Sequence, residues 1–205
     1  MIPRSQGALH PHPQKPEANR SFSMYIFESP RLGFRKITHA DVPVFHEMLS
    51  NREAMRYWST LPHTTLSETH TWITGSATLT HDYAILLKPT NEVIGKIGYF
   101  GPEIGFLLHP RVWGRGYATE ALEGFLRVLW EEGVEVVRAD VDPRNEKCLK
   151  LLKRFGFRTI GQAEGTYVTW EGVCGSVYLE LRRPRVGEEG ERLEKDGEVK
   201  GGGGW

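Results

Sequence analysis

Trp113-Gly114-Arg115-Gly116-Tyr117-Ala118-Thr119-Glu120-Ala121 is the stretch on which the reading of the chain turns. Just before it, Glu103-Ile104-Gly105-Phe106-Leu107-Leu108 is short, apolar and stopped by His109-Pro110, the pattern of a buried strand. Just after it, Ala118, Ala121, Leu122, Phe125 and Leu129 recur at helical spacing, Glu120, Glu123, Arg127 and Glu131 fall mostly on other faces, and Gly133 supplies the stop. A strand therefore passes through glycines into a helix. Gly114 and Gly116 let the backbone approach a ligand closely and turn successive N–H groups outward at the helix start. Free amide donors and the positive end of a helix dipole suit a phosphate or pyrophosphate. Arg111 and Arg115 add charge in the same place.

Several phosphate ligands are excluded by what the stretch lacks. A nucleoside-triphosphate loop needs G-x-x-x-x-G-K-[ST], and the chain has no such run. The dinucleotide fingerprint needs a third small residue where Thr119 stands, which argues against a dinucleotide-binding oxidoreductase. The spacing does resemble the acetyl-CoA loop of the GNAT superfamily of N-acyltransferases, Gln/Arg-x-x-Gly-x-Gly/Ala, with Trp113 in the Gln/Arg place and Gly116 and Ala118 in the two small positions. The longer string from Glu103 to Leu122 is similar to the branch that contains the ribosomal-protein N-terminal acetyltransferases, where a Trp at this place is familiar.

Length and composition set the bounds. With 205 residues, 39% of them hydrophobic, the chain is long enough for one well-buried domain and too short for two ordinary ones. Zero formal net charge gives no broad electrostatic case for nucleic acid or an anionic membrane as partner. Cys148 and Cys174 allow at most one disulfide, no run is long and apolar enough to span a bilayer, and the start lacks a signal-peptide core, so a cytoplasmic or nuclear setting is expected. Residues 1–23 are rich in proline and poor in apolar groups, and residues 184–205 are charged and glycine-rich; both are expected to be disordered tails around a domain at 24–183. His10-Pro11-His12 lacks carboxylate or cysteine support, and His46, His70 and His81 show no metal spacing, so no metal cofactor is expected.

Between the tails the chain reads as a first strand at 25–37 interrupted at Pro30, a helix from Thr38 or Asp41 burying Val42, Phe45, Met48 and Leu49, and a second from Ser67 burying Trp72 and Ile73. A hairpin follows, 83–87 and 93–100 about Pro89-Thr90-Asn91, then the strand 104–108, the helix from Tyr117, and a strand at 134–141. A helix holding Cys148, Leu149, Leu152 and Phe155 ends at Gly156, and two last strands, 157–170 and 174–181, join at Glu171-Gly172. That order predicts an α+β fold around one mixed, mostly antiparallel central sheet flanked by helices. It is also the order of the GNAT fold, and the resemblance runs from Ser29 to about Arg183.

A second string, Asp142-Pro143-Arg144-Asn145-Glu146-Lys147-Cys148-Leu149 with Lys153-Arg154-Phe155-Gly156-Phe157, resembles the family's Asn-x-x-Ser run before a helix and Gly-Phe. Asn145 reads as a helix N-cap; the resemblance adds a contact to the pantetheine arm or a bound water. Cys148 stands where many relatives have Ser. By itself it reads as a packed thiol. The resemblance implies a place beside the CoA sulfur, where a protonated group could act as acid to the departing thiolate. A helix start lowers a thiol pKa and burial raises it, so its state is left open.

The resemblance implies attack of a neutral amine on an acetyl thioester, with no nucleophilic Cys–His pair. An alkyl amine near pKa 10.4 is almost wholly protonated at neutral pH and needs a base more than an α-amine near 8. Glu103, at the head of the organising strand, is the candidate base, partial burial being expected to raise its pKa; a strand-end carboxylate held by an arginine is the plain alternative. Family likeness further implies acetyl-CoA held by the residues from Trp113 to Thr119 with Arg111 and Asn145. It also implies a backbone donor among Phe106, Leu107 and Leu108 for the carbonyl oxygen, where the family splays two strands. Tyr57-Trp58-Ser59 with Pro62-His63 resembles the acceptor-side loop, Trp58 reading equally well as a core residue and His63 being a second base candidate. The acceptor the resemblance implies is an amine-bearing protein N-terminus or small molecule, and the residues leave its identity open. A non-catalytic acyl-CoA sensor or scaffold is the rival reading, motivated by Trp113 and Cys148.

Overall fold

The structure, a computed structural model, describes residues 24–76 and 81–184. The expected tails, apart from Pro184, lie outside the described residues. The chain opens with a short hairpin, β1 (Phe27–Glu28) and β2 (Leu32–Lys36), turned at Pro30. A single 3-10 turn at His39–Asp41 leads into α1 (Val42–Leu49), and α2 (Leu66–Ser76) follows. The Asp41 carboxylate accepts from the Thr38 amide at 2.8 Å and from Arg35 at 2.7 Å, which fixes where the first helix begins.

Next come β3 (His81–Leu87), β4 (Glu92–Tyr99) and β5 (Ile104–Leu108), then α3 (Tyr117–Glu131) and β6 (Val136–Val141). The chain closes with α4 (Glu146–Arg154), β7 (Arg158–Thr169) and β8 (Gly172–Arg182). Every ladder between these strands is antiparallel.

The expected α+β fold with a mostly antiparallel central sheet flanked by helices is present, and the sheet is divided into a five-stranded part in the order β1-β2-β3-β4-β5 and a three-stranded part in the order β6-β8-β7. Among the described residues the only backbone pairing that joins the two parts is one parallel bridge, from Glu103 just ahead of β5 to Arg138 of β6, with the Arg138 amide donating to the Pro102 carbonyl at 2.9 Å. Past that bridge the strands part, and the gap becomes one wall of the main cleft.

The period-two alternation of β3 explains the layering. Tyr83 and Ile85 point into one core with Phe34, Phe125, Leu129, Val137 and Leu179, beneath α3. Ala84 and Leu86 point into a second with Phe45, Met48, Leu49 and Ile73, beneath α1 and α2. A strand covered on both faces reads as the continuous apolar run Tyr83-Ala84-Ile85-Leu86-Leu87. Each fully buried Phe or Leu contributes about 1.5–3 kcal/mol. In the first core Phe27 stacks on Phe34 at 4.2 Å between ring centroids, and Tyr83 meets Phe125 edge-on at 5.9 Å. Among the described residues no helix is long and apolar enough to cross a membrane.

Candidate active site

The helix start that organises the sequence also organises the cleft. Gly114 (φ +74°) and Gly116 (φ +79°) both occupy the left-handed region, where a side chain costs about 1–2 kcal/mol. Gly116 is the N-cap of α3, and the first helical bond runs from the Glu120 amide to its carbonyl at 3.1 Å. The amides of residues 114–119 have no acceptor among the described residues, and Gly114, Arg115 and Gly116 are exposed. A methyl group at Gly114 would meet nothing within 4 Å, so open space lies over the loop. Outward donors, the positive end of a fifteen-residue helix and free room above them fit a diphosphate.

What holds the loop in place was not legible in the sequence. The Glu120 carboxylate receives the Ser29 hydroxyl at 2.7 Å, the Arg31 amide at 2.7 Å and the Arg31 Nε at 2.6 Å. Arg31 then reaches the Arg115 carbonyl at 3.1 Å and covers the Tyr117 ring at 4.5 Å. Burial raises the pKa of Glu120, but those three bonds outweigh it and hold the carboxyl below its ordinary value. Trp113 is 41% exposed and donates its indole N–H to the Leu108 carbonyl at 2.8 Å, tying the loop to the end of β5.

A cleft of about 1470 Å³ runs past this loop. It is lined by Phe106, Leu107 and Leu108 from β5, by Trp113, Gly114, Gly116, Tyr117, Ala118 and Thr119, by Asn145 and Cys148 from the start of α4, and by Tyr57, Trp58 and Glu103. The side-chain oxygen of Asn145 accepts from the Cys148 amide at 3.2 Å, as an N-cap does.

Four of the expected site residues stand differently from the reading. Arg111 does not line the cleft; its guanidinium is 2.5 Å from Glu92 and 4.0 Å from Glu47. Arg115 is exposed and outside the lining, contributing its carbonyl to Arg31. His63 sits in a side pocket with Thr65, Ser67 and Glu68, its Nδ1 2.9 Å from the Thr69 hydroxyl, and burial pushes its imidazole pKa below the usual value. Glu103 lines the cleft but is exposed, so the partial burial expected of it is absent.

Burial decides the state of Cys148. Its thiol is pushed up to about 12, which keeps it protonated at neutral pH. The sulfur of a free thiol has a pKa of about 8.5, so Cys148 is too weak an acid to protonate such a thiolate readily.

Two clusters in the cleft were not anticipated. On the floor, Lys96 of β4 pairs with Asp82 of β3 at 2.8 Å, both side chains almost wholly buried, and the ammonium lies 4.6 Å from the Trp72 ring and 5.1 Å from that of Phe100. The signal was present as one charge inside the apolar run Val93-Ile94-Gly95-Lys96-Ile97. At one end, Asp142 holds Arg144 at 2.5 Å, Arg144 reaches Glu171 at 3.4 Å, and Glu171 holds Arg56 at 3.0 Å. The Trp170 indole donates to the Arg52 carbonyl at 3.0 Å, so the β7–β8 turn is latched onto the loop that carries Tyr57 and Trp58. These links join residues far apart in the sequence. Among the described residues no group of three or more His, Cys, Asp or Glu side chains is placed to hold a metal ion.

A sheet divided between β5 and β6, with an amide-lined helix start opening on the division, defines an acetyltransferase fold of the α+β class. The chain belongs to the acetyltransferase (GNAT) domain family, which matches residues 31–158. It is 28% identical over 144 residues, 64% of this chain and 81% of the relative, to the uncharacterized N-acetyltransferase p20 of Bacillus licheniformis. A GNAT-family acetyltransferase from Bacillus anthracis superposes with a TM-score of 0.68 at 23% identity, covering 76% of this chain and 96% of that one. An acetyl transferase from Salmonella typhimurium that modifies the N-terminal serine of the 50S ribosomal subunit protein L7/L12 gives 0.65 at 16% identity, covering 76% and 97%. At these identities the two structures establish the fold, and the second belongs to the branch that the motifs resemble.

Proposed function

We propose that the protein transfers an acetyl group from acetyl-CoA directly to a primary amine, both substrates being bound in the one cleft. The observation that carries this reading is the run of unengaged amides at residues 114–119 opening onto the same cleft as Asn145, Cys148, Tyr57 and Trp58. When bound, acetyl-CoA supplies a thioester carbonyl activated toward nitrogen. The amides hold its diphosphate, and main-chain groups of 106–108 on the divided side of β5 stabilise charge on the carbonyl oxygen. Asn145 caps α4 and so fixes the wall beside the pantetheine arm. Tyr57 and Trp58 form the apolar side of the amine pocket.

The groups available for proton transfer narrow the acceptor. Glu103 is exposed, which favours passing a proton to water over deep abstraction. Cys148 packs rather than acting as acid, and a thiolate of pKa about 8.5 leaves near neutral pH without one. A site with so little acid–base assistance suits an amine already partly neutral, an α-amine near pKa 8, better than an alkyl amine near 10.4. A protein or peptide N-terminus is therefore the preferred acceptor, and the setting is cytoplasmic.

The test is thiol release from acetyl-CoA with a panel of free-N-terminus peptides, N-blocked lysine peptides and polyamines. Free-N-terminus peptides are expected to react fastest, and Glu103→Gln is expected to lower kcat and shift the acidic limb of the pH–rate profile. Thiol release at background with every amine sinks the enzymatic reading. CoA binding without turnover would instead favour a non-catalytic sensor or scaffold.

A further inference from the structure

The cations lining the cleft fall into two groups. Those near the amine pocket are neutralised within the protein: Arg56 by Glu171, Lys96 by Asp82, Arg144 by Asp142. Those on α4 are neutralised only in part. Lys147, Lys150 and Arg154 recur at spacings of three and four, which sets them on one face of the helix, and all three line the cleft. The other side of α4 buries Leu152 and packs Cys148, Leu149 and Phe155 against the core, so rotation of the helix is fixed. Lys150 has only a solvent-exposed pairing with Glu146 at 2.9 Å, while Lys147 and Arg154 have no carboxylate within ion-pair distance among the described residues.

One carboxylate, Glu146, shares this face and also lines the cleft, so three cations against one anion leave an excess of positive charge in the cavity that also receives the amides of residues 114–119. Those amides suffice for a diphosphate. The remaining positive charge suits a second anion, and the proposed co-substrate carries one, the phosphate monoester on the 3′ position of its ribose. Such a monoester bears a charge of about −1.5 to −2 at neutral pH, more than a diester-like phosphate, and favours several donors at once.

We propose that Lys147, Lys150 and Arg154 form a second anion subsite in the cleft that reads this 3′-phosphate and selects CoA thioesters over their 3′-dephosphorylated counterparts. The inference rests on the acetyl-CoA reading. Because the three side chains are exposed, the selectivity is screened by salt and is of moderate size.

The test is calorimetric binding of CoA and of 3′-dephospho-CoA to the full chain, at low and high salt. Wild type is expected to bind CoA about tenfold more tightly at low salt, the preference shrinking as salt rises. The triple variant Lys147→Ala, Lys150→Ala, Arg154→Ala is expected to bring the ratio to about one. Should that variant misfold, Lys147→Gln with Arg154→Gln carries the same comparison and is expected to lower the ratio. Adenosine 3′,5′-bisphosphate is expected to compete with CoA more strongly than adenosine 5′-monophosphate does. Equal binding of CoA and dephospho-CoA by wild type, or a ratio that survives the substitutions, overturns the subsite while leaving the acetyl-CoA reading intact. Failure of wild type to bind either compound overturns both.

Discussion

Replacing Glu120 by Ala tests how the glycine loop ahead of α3 is held. The carboxylate is 12% exposed and receives three donors, the Ser29 hydroxyl, the Arg31 amide and the Arg31 guanidinium. Hydrogen bonds to a charged group contribute roughly 1.5–3 kcal/mol each when sheltered. The Arg31 side chain is 49% exposed, so its share is discounted to below about 1 kcal/mol. Taking the low end for the two other bonds, the loss comes to about 3 kcal/mol, or a fall in Tm of roughly 6–12 °C for a domain of this size. The sign with pH follows from the depressed pKa. The folded carboxyl lies below its ordinary 4.5, so its stabilisation is fully present above about pH 4.5 and is lost as pH falls through the folded value. Thermal and urea unfolding of wild type and Glu120→Ala should therefore show a constant gap from pH 5 to 8 and a closing gap below 4.5. A gap under about 0.5 kcal/mol at pH 7, or one that persists undiminished in acid, would falsify the account of Glu120 as the anchor.

Other expectations follow from single contacts. Gly114→Ala forces a side chain into the left-handed region at a cost of about 1–2 kcal/mol, and because space above it is open the loop is expected to shift, weakening CoA binding about tenfold by calorimetry. Asp82→Ala strands the buried Lys96 charge and should cost about 3–5 kcal/mol in urea unfolding; Asp82→Leu with Lys96→Met together should recover most of it, and no recovery would refute the pairing as the cause. With its thiol pushed up to about 12, Cys148 should resist iodoacetamide at pH 8, and Cys148→Ala should leave the pH–rate profile between 6 and 10 without a lost limb. Glu171→Ala frees the β7–β8 turn from Arg56 and Arg144 and is expected to raise the acceptor KM while the Kd for CoA stays fixed; a change in the cofactor constant alone would contradict the assignment of this latch to the acceptor end.

The sequence disclosed features governed by neighbours along the chain. The start of α3 was readable because glycine conformations and helical spacing are both local, and Asn145 because a cap bonds only three residues ahead. Features governed by partners across the fold were hidden. Arg111 has the right charge beside the loop, but Glu92 and Glu47, brought in by folding, take its guanidinium away. Glu103 begins a strand at the mouth of the divide, where one flank is solvent, so apolar neighbours in sequence gave a false impression of shelter. The division of the sheet entered through the family likeness alone, because Val136-Val137-Arg138-Ala139-Asp140-Val141 alternates in the same way whether or not β5 lies alongside it.

That division has a consequence for what the cleft accepts. Along its β6 side, β5 lacks a neighbouring ladder beyond one bridge among the described residues, leaving main-chain groups facing a void. Water satisfies them while the void is wet. A guest that expels the water must return donors and acceptors at rung-like intervals, or leave polar atoms stranded at about 1–3 kcal/mol apiece. The gap is thus expected to sort visitors by backbone chemistry, an amide-bearing chain entering as a surrogate strand more readily than a plain hydrocarbon tail of equal girth.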